Sequence, residues 1–184
     1  MAPLYPRILG GEWTRLPEGV RCYHAGLGEI RAFGRFEVRW GERPLARTLA
    51  RLGGLPGAGE QVPTELQVTP DADGETWRRR FGSDFLATRQ WEENGRLMER
   101  AGRFELSFRL EVSNSELVFE QTGAWLRLGP ARLPIPRWLA PRVRARAGPA
   151  EGAEGMQVRV EVSLPGVGIL CSYRGSLLRS DLPV

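Results

Sequence analysis

Residues 128–147 read LGPARLPIPRWLAPRVRARA. Four prolines, one tryptophan and five arginines share these twenty positions, with no acid among them. On both sides of the stretch the sequence alternates apolar and polar residues, the two-residue period of β-strands. Proline lacks an amide donor and fixes φ, so its spacing here argues against a central strand and against any long helix. The stretch is therefore expected to leave the sheet. It reads as an apolar flap built on Leu133, Ile135, Trp138 and Leu139, laid across a sheet opening with its arginines around the rim.

Working outward, the strand signals are dense. In GEIRAFGRFEVRWG, Ile30, Ala32, Gly34, Phe36, Val38 and Trp40 alternate with polar partners, and Gly34 suggests a bend or bulge. VPTELQVTP and ETWRRRFG follow, the latter with Trp77, Arg79 and Phe81 on one face. DFLATRQWEE and RLMERAG flank Asn94-Gly95, a two-residue hairpin signal. RFELSFRLEVS, LVFEQTGAWLRL, MQVRVEVSLPG and GILCSYRGSLL complete the series. Helix signals are few. Residues 1–26 read as a broken helical segment stopped by Gly10, Gly11 and Gly26. RPLARTLARLGG reads as a short amphipathic helix near 44–53, with Leu45, Thr48, Leu49 and Leu52 on its apolar face.

The expected architecture is a single β-rich α+β domain over residues 1–184. It is a strongly curved antiparallel sheet or half-barrel of about eight or nine strands, with the short helices against it. Two closures satisfy one covered face per strand: a curved sheet wrapped over the helices, or a barrel closed on itself.

Composition narrows the function. The 184 residues are 41% hydrophobic and carry a formal charge of +4, a globular composition. No apolar run reaches the length of a membrane helix, and the N-terminus lacks a charged-then-apolar leader pattern, so a cytoplasmic protein is expected. All 26 basic residues are arginine. The absence of lysine excludes Schiff-base chemistry, a P-loop lysine and a Ser-x-x-Lys nucleophile. Charge is uneven: residues 60–75 hold five acids and no base, and residues 125–150 hold Arg127, Arg132, Arg137, Arg142, Arg144 and Arg146 with no acid.

One histidine, His24, and two cysteines, Cys22 and Cys171, are too few for a histidine or Cys/His metal site, and no metal or cofactor is expected. His24 reads as a structural or capping residue. Gly57-Ala-Gly59 and Gly166-Val-Gly168 lack the third glycine of a dinucleotide motif and read as loop punctuation. Glu99 lies between apolar residues on an expected central strand and needs a partner if it turns inward; Arg79 and Arg35 are the candidates. Nucleic acid is disfavoured as a partner, because Trp77, Phe104 and Phe108 fall on the apolar face with Val and Leu, which marks them as core.

The order of several motifs resembles a bacterial family of unknown function, DUF4166. The segments carrying the likeness are VPTELQVTPDADGETWRRRFG, LMERAGRFELSFRLEV, the Leu133–Pro141 loop LPIPRWLAP, and the Leu164–Gly175 run with its Leu-Pro-Gly-Val-Gly and Tyr-Arg-Gly elements. The likeness covers almost the whole chain. It implies a fold and no activity, in a family whose members stand alone or attached to larger proteins, including reductase-like ones. Where relatives carry an acid after the basic run, this chain has Ala147 and Gly148.

The function expected from these readings is non-enzymatic binding of a hydrophobic or amphiphilic small molecule with an acidic head, in a pocket of the curved sheet. The candidate site residues are Arg79, Glu99, Arg35, Trp77, Trp138, Tyr173 and Arg174. The alternatives are an interaction or accessory module for a lipid-modifying or redox enzyme, and an enzyme using Glu99, Arg79 or His24. The 127–146 segment is the expected contact for a membrane surface or a partner protein.

Overall fold

The computed structural model describes residues 3–26, 28–150 and 155–180. The alternating stretches become antiparallel strands: β1 (Ile30–Trp40), β2 (Gly59–Pro70), β3 (Gly74–Phe81), β4 (Asp84–Glu93), β5 (Arg96–Ala101), β6 (Phe104–Ser113) and β7 (Glu116–Leu128). Then come β8 (Ala131–Pro134), β9 (Arg142–Pro149), β10 (Gly155–Leu164) and β11 (Gly168–Arg179). β11 pairs with β1 and β6 pairs with β7, so the sheet closes into a ten-strand barrel. β8 stays outside the ring. It pairs with the Trp125–Leu128 half of β7, while β9 takes the Leu117–Glu120 half.

The half-barrel of eight or nine strands is thus corrected to a closed barrel, and the difference lies wholly in the opening stretch. Both additional strands, β8 and β9, belong to residues 128–147, all of which were expected to leave the sheet. The proline argument holds only from Pro134 to Pro141. Pro134 ends an edge strand and Pro141 precedes β9, so neither removes a ladder donor inside the ring. Beyond Pro141 the basic run alternates like any strand, with Val143, Ala145 and Ala147 on one side and Arg142, Arg144 and Arg146 on the other. Gln121 seals the gap where β8 and β9 part: it accepts from the Val143 N–H at 2.7 Å and donates to the Pro141 carbonyl at 2.8 Å.

One barrel end is plugged. α1 (Leu4–Leu9), a 3₁₀ turn over Gly10–Arg15 and α2 (Glu18–Arg21) cover it, and Tyr5, Val20 and Tyr23 are fully buried there. The Tyr23 hydroxyl donates to the Leu177 carbonyl at 2.9 Å, and Glu12 accepts from the Val112 N–H at 3.2 Å. The same end gathers the β2–β3, β4–β5 and β6–β7 turns. Asn94-Gly95 turns there with both residues at positive φ, as its sequence requires.

The opposite end holds the β3–β4, β5–β6, β7–β8 and β10–β11 turns and α3 (Pro44–Leu52). α3 forms where expected, but of its expected apolar face only Leu49 packs on the fold. Ala46 and Ala50 are buried against Leu170, while Leu45 and Leu52 are exposed. The helix approaches the end of β1 and the start of β11 so closely that only alanine fits. A Cβ on Gly41 would lie 1.9 Å from the Ile169 carbonyl and 3.0 Å from the Ala46 methyl. The irregularity expected at Gly34 lies two to four residues on, between Phe36 and Val38. Gly34 serves instead to let the Ser176 carbonyl approach.

Around the barrel the outward face is charged. Arg80 pairs with Glu65, Arg109 with Glu120 and Arg174 with Glu37 across neighbouring strands. This is the inverse of the apolar-out pattern of lipid-facing strands. No described helix is long and apolar enough to cross a membrane.

Candidate functional site: the polar barrel interior

The site begins with the alternation of β3. Trp77 and Phe81 turn inward and are buried, which turns Glu75 and Arg79 inward with them. Register then builds a polar row across three strands. Glu75 lies opposite Gln90, and Gln90 opposite Glu99; Trp77 lies opposite Thr88, and Arg79 opposite Leu86. Trp77 Nε1 donates to Glu75 Oε1 at 2.6 Å, Arg79 donates to the Thr88 hydroxyl at 3.2 Å, and the Tyr5 hydroxyl donates to Gln90 Oε1 at 2.7 Å. The Arg79 guanidinium lies over the Trp77 ring, 5.0 Å from its centroid.

His24 enters this cluster from the plug. Its ring lies 4.2 Å from the Tyr5 ring and 5.1 Å from Trp77. Burial, with the positive charge of Arg79, pushes its pKa down to about 3, so the imidazole is neutral. Neither ring nitrogen has a hydrogen-bond partner among the described residues. Burial pushes the Glu75 carboxyl up to about 7, against the Trp77 hydrogen bond and the Arg79 charge, which lower it. Burial also raises the Tyr5 hydroxyl well above its ordinary value and Tyr173 to about 12. The charges of Arg79 and Glu99 act on both phenols, which places the four groups in one interior.

The interior is not filled to the same degree all round. Phe36, Phe81 and Tyr173 pack together beside β1, β3 and β11, with Phe81 and Tyr173 centroids 5.1 Å apart. Arg79, Glu99, Leu86, Phe119, Val143 and Val160 belong to inward registers yet remain partly exposed. Eight strands give a bore that side chains can fill, and ten give a wider one. The end opposite the helical plug, where Leu55, Pro56, Ile135 and Ala140 pack on the core, is the mouth. The arrangement can receive an anion at Arg79, exchange a proton at Glu75 near neutrality, and offer a neutral imidazole to a hydrogen-bonding group.

Of the residues named from sequence, Arg79, Glu99, Trp77 and Tyr173 share this interior. Arg79 does not pair with Glu99: among the described residues neither makes an ion pair. Arg35 points outward and donates to the Gln61 carbonyl, and Arg174 is on the outer wall with Glu37, so neither lines the lumen. Trp138 is 69% exposed on the flap. His24, expected as a structural residue, is buried in the cluster. Glu75, Tyr5, Gln90 and Thr88 were missed. Glu75 carried a usable signal, since it keeps the two-residue step of Trp77 and Arg79, but it was counted with the surface acids of residues 60–75.

The basic run divides in three. Arg127 and Arg132 clamp Glu105, which is 1% exposed beneath the β7–β8 hairpin, at 2.8 and 3.0 Å. The second contact is an ion pair with its N–H off the acceptor axis, so neither atom gains an aligned hydrogen bond from it. Arg132 also pairs with Glu93 and covers the Trp125 ring. Arg144 and Arg146 sit on the outer wall, where Arg146, Arg159 and Arg174 lie directly opposite one another beside a shallow groove of about 320 Å³. Arg137 and Arg142 remain at the mouth. No group of three or more His, Cys, Asp or Glu that would suit a metal exists among the described residues.

Fold and site together define a closed antiparallel β-barrel, plugged at one end, with a titratable cluster inside. The family model for the domain of unknown function DUF4166 matches residues 16–177, and the chain belongs to that family. No curated protein and no solved structure matches it.

Proposed function

We propose that the barrel binds an amphiphile with an acidic head. Arg79 takes the head, and the partly exposed apolar wall of Leu86, Phe119, Val143 and Val160 holds the tail. The observation that carries this reading is Arg79 itself. It turns into the barrel, stays partly open, and has no carboxylate within 4.0 Å among the described residues. A guanidinium held inside a fold without a counter-ion favours an anion that arrives from outside.

Native mass spectrometry of the gently purified chain, followed by solvent extraction, tests it. An amphiphile mass should ride on the wild-type protein and be lost from Arg79→Met at unchanged circular dichroism. A protein that stays bare after incubation with a lipid extract would exclude a carrier role. The exposed flap residues Leu133, Trp138 and Leu139 favour a second reading, a docking module for a partner enzyme. In that case the chain would stay bare and the flap substitutions would abolish capture of the partner.

A further inference from the structure

Most large apolar side chains that this protein leaves exposed lie at one end of the barrel. α3 contributes Leu45 and Leu52, the latter 81% exposed. Phe85, Phe104 and Ile169 follow three separate hairpin turns of the same end. The flap adds Leu133, Trp138 and Leu139. Leu128 sits at the β7–β8 turn of the same end, and among the described residues the two large apolar side chains exposed elsewhere, Phe33 and Leu178, face each other across β1 and β11. The apolar groups at the mouth are thus spread around a ring, one or two per connection, and do not merge into a single patch.

Charge follows the same geography. Arg43, Arg51, Arg103, Arg137 and Arg142 lie on these connections, and among the described residues none of them makes an ion pair. Arg43 holds the Gly166 and Val167 carbonyls, and Arg51 lies over Trp40. The acids on the same connections are fewer: Glu42, Glu60 and Asp84, and Asp84 accepts the Gly57 N–H. At the plugged end Arg15, Arg21, Arg31 and Arg89 are each paired with an acid, while among the described residues Arg7 and Arg96 are not.

We propose that the mouth of the barrel docks on an anionic bilayer surface, with Trp138, Leu139 and the hydrophobic residues of the turns at the headgroup level and the unpaired arginines on the lipid phosphates. A folded partner would need a contiguous complementary face. A fluid surface accepts single apolar anchors separated by cations, which is the arrangement present. The docked mouth would place the lumen against the acyl chains. This goes beyond the lumen reading and stands without it.

The test uses the full chain with vesicles of phosphatidylcholine alone and of phosphatidylcholine with phosphatidylglycerol, read by co-sedimentation. Binding should appear on the anionic vesicles and weaken with salt. The double variants Trp138→Ser/Leu139→Ser and Arg137→Glu/Arg142→Glu should each lower affinity by about tenfold or more. Arg159→Glu/Arg174→Glu on the outer wall should leave it within about twofold, and Arg79→Met should bind vesicles like the wild type. Melting curves confirm that each variant folds. Absence of binding to both vesicle types would overturn the proposal. So would binding that survives the mouth substitutions but is lost with the outer-wall ones. So would a concentration-dependent dimer, dissolved by the Trp138 and Leu139 changes, in a chain that ignores vesicles.

Discussion

The two ends of this barrel are built from the same residue types and used differently. At the plugged end aromatic and aliphatic side chains go inward, four arginines meet carboxylates, and turns are tight. At the mouth several comparable side chains face solvent, Arg43, Arg51, Arg103, Arg137 and Arg142 lack carboxylates among the described residues, and two long connections stand among the hairpin turns. Between the ends lies one cluster of polar groups, reached from the mouth and floored by the plug. The contrast shows where this sequence invests in stability and where it leaves surface unsatisfied. Substitutions sharpen the contrast when their cost depends on the end they strike.

The largest cost is expected at the plug. Tyr5 is fully buried, donates to Gln90 and packs on His24 and Phe119. Tyr5→Ala should cost about 3–5 kcal/mol in urea unfolding, the range for emptying an aromatic site. A cost below about 1 kcal/mol would mean that the N-terminal segment is not part of the cooperative core.

The interior cluster should show itself through pH. Glu75 keeps its proton in the folded state up to about 7, while the unfolded chain loses it near 4.5. Its contribution therefore falls as pH rises from 4.5 to 7, by about 3 kcal/mol, and stays low above. His24 works in the opposite sense. It stays neutral in the fold down to about 3, while the unfolded chain takes up a proton near 6.5, so its contribution grows as pH rises from 3 to 6.5. Between 4.5 and 6.5 the two oppose each other. Glu75→Gln, which preserves an acceptor for Trp77, should unmask the histidine slope and be more stable than wild type at pH 8. His24→Phe should unmask the glutamate slope. Urea midpoints from pH 4 to 8 read both. A Glu75→Gln variant weaker than wild type at pH 8 would mean that the carboxylate is charged and bound.

Between the ends, Glu105 holds the β7–β8 hairpin to the wall through Arg127 and Arg132. Glu105→Gln keeps the shape and removes the charge. It should cost about 2 kcal/mol, because the two arginines are partly solvated and recover water. Hydrogen exchange at Ala131–Pro134 should accelerate more than at β9. Equal acceleration of both strands would show that the hairpin and the ring unfold together.

The sequence was legible wherever one residue decided one contact. Nine strands, the Asn94-Gly95 turn and the shared face of Trp77, Arg79 and Phe81 followed from local alternation. What failed were the features set by distant partners. β9 was hidden because Pro134, Pro136 and Pro141 dominate its approach, and only pairing with β7 and β10 reveals that Arg142–Ala147 is in the ring. The wrong face was assigned to α3 because leucine outweighs alanine in any pattern, yet the close approach at Gly41 admits only alanine. Glu75 looked like a surface acid because composition averages over a segment, while burial is decided by the two-residue step. His24 read only as a structural residue, because its neighbours Tyr5, Trp77 and Arg79 come from two distant segments, α1 and β3.

The smallest stability effect should come from the mouth, and its smallness is the sharpest check on the contrast. Trp138 is the largest side chain of the flap, and nothing covers it among the described residues. Trp138→Ser should therefore shift the urea midpoint by less than the equivalent of about 0.5 kcal/mol, as for any exposed position free of special contacts. The flap backbone has its own supports. Leu139 and Ala140 donate their N–H groups to the Pro136 carbonyl, and Gln121 ties down Pro141 and Val143. A loss of 2 kcal/mol or more would mean that the indole packs against the barrel in solution. The mouth would then be a second plug, and the difference between the two ends would disappear.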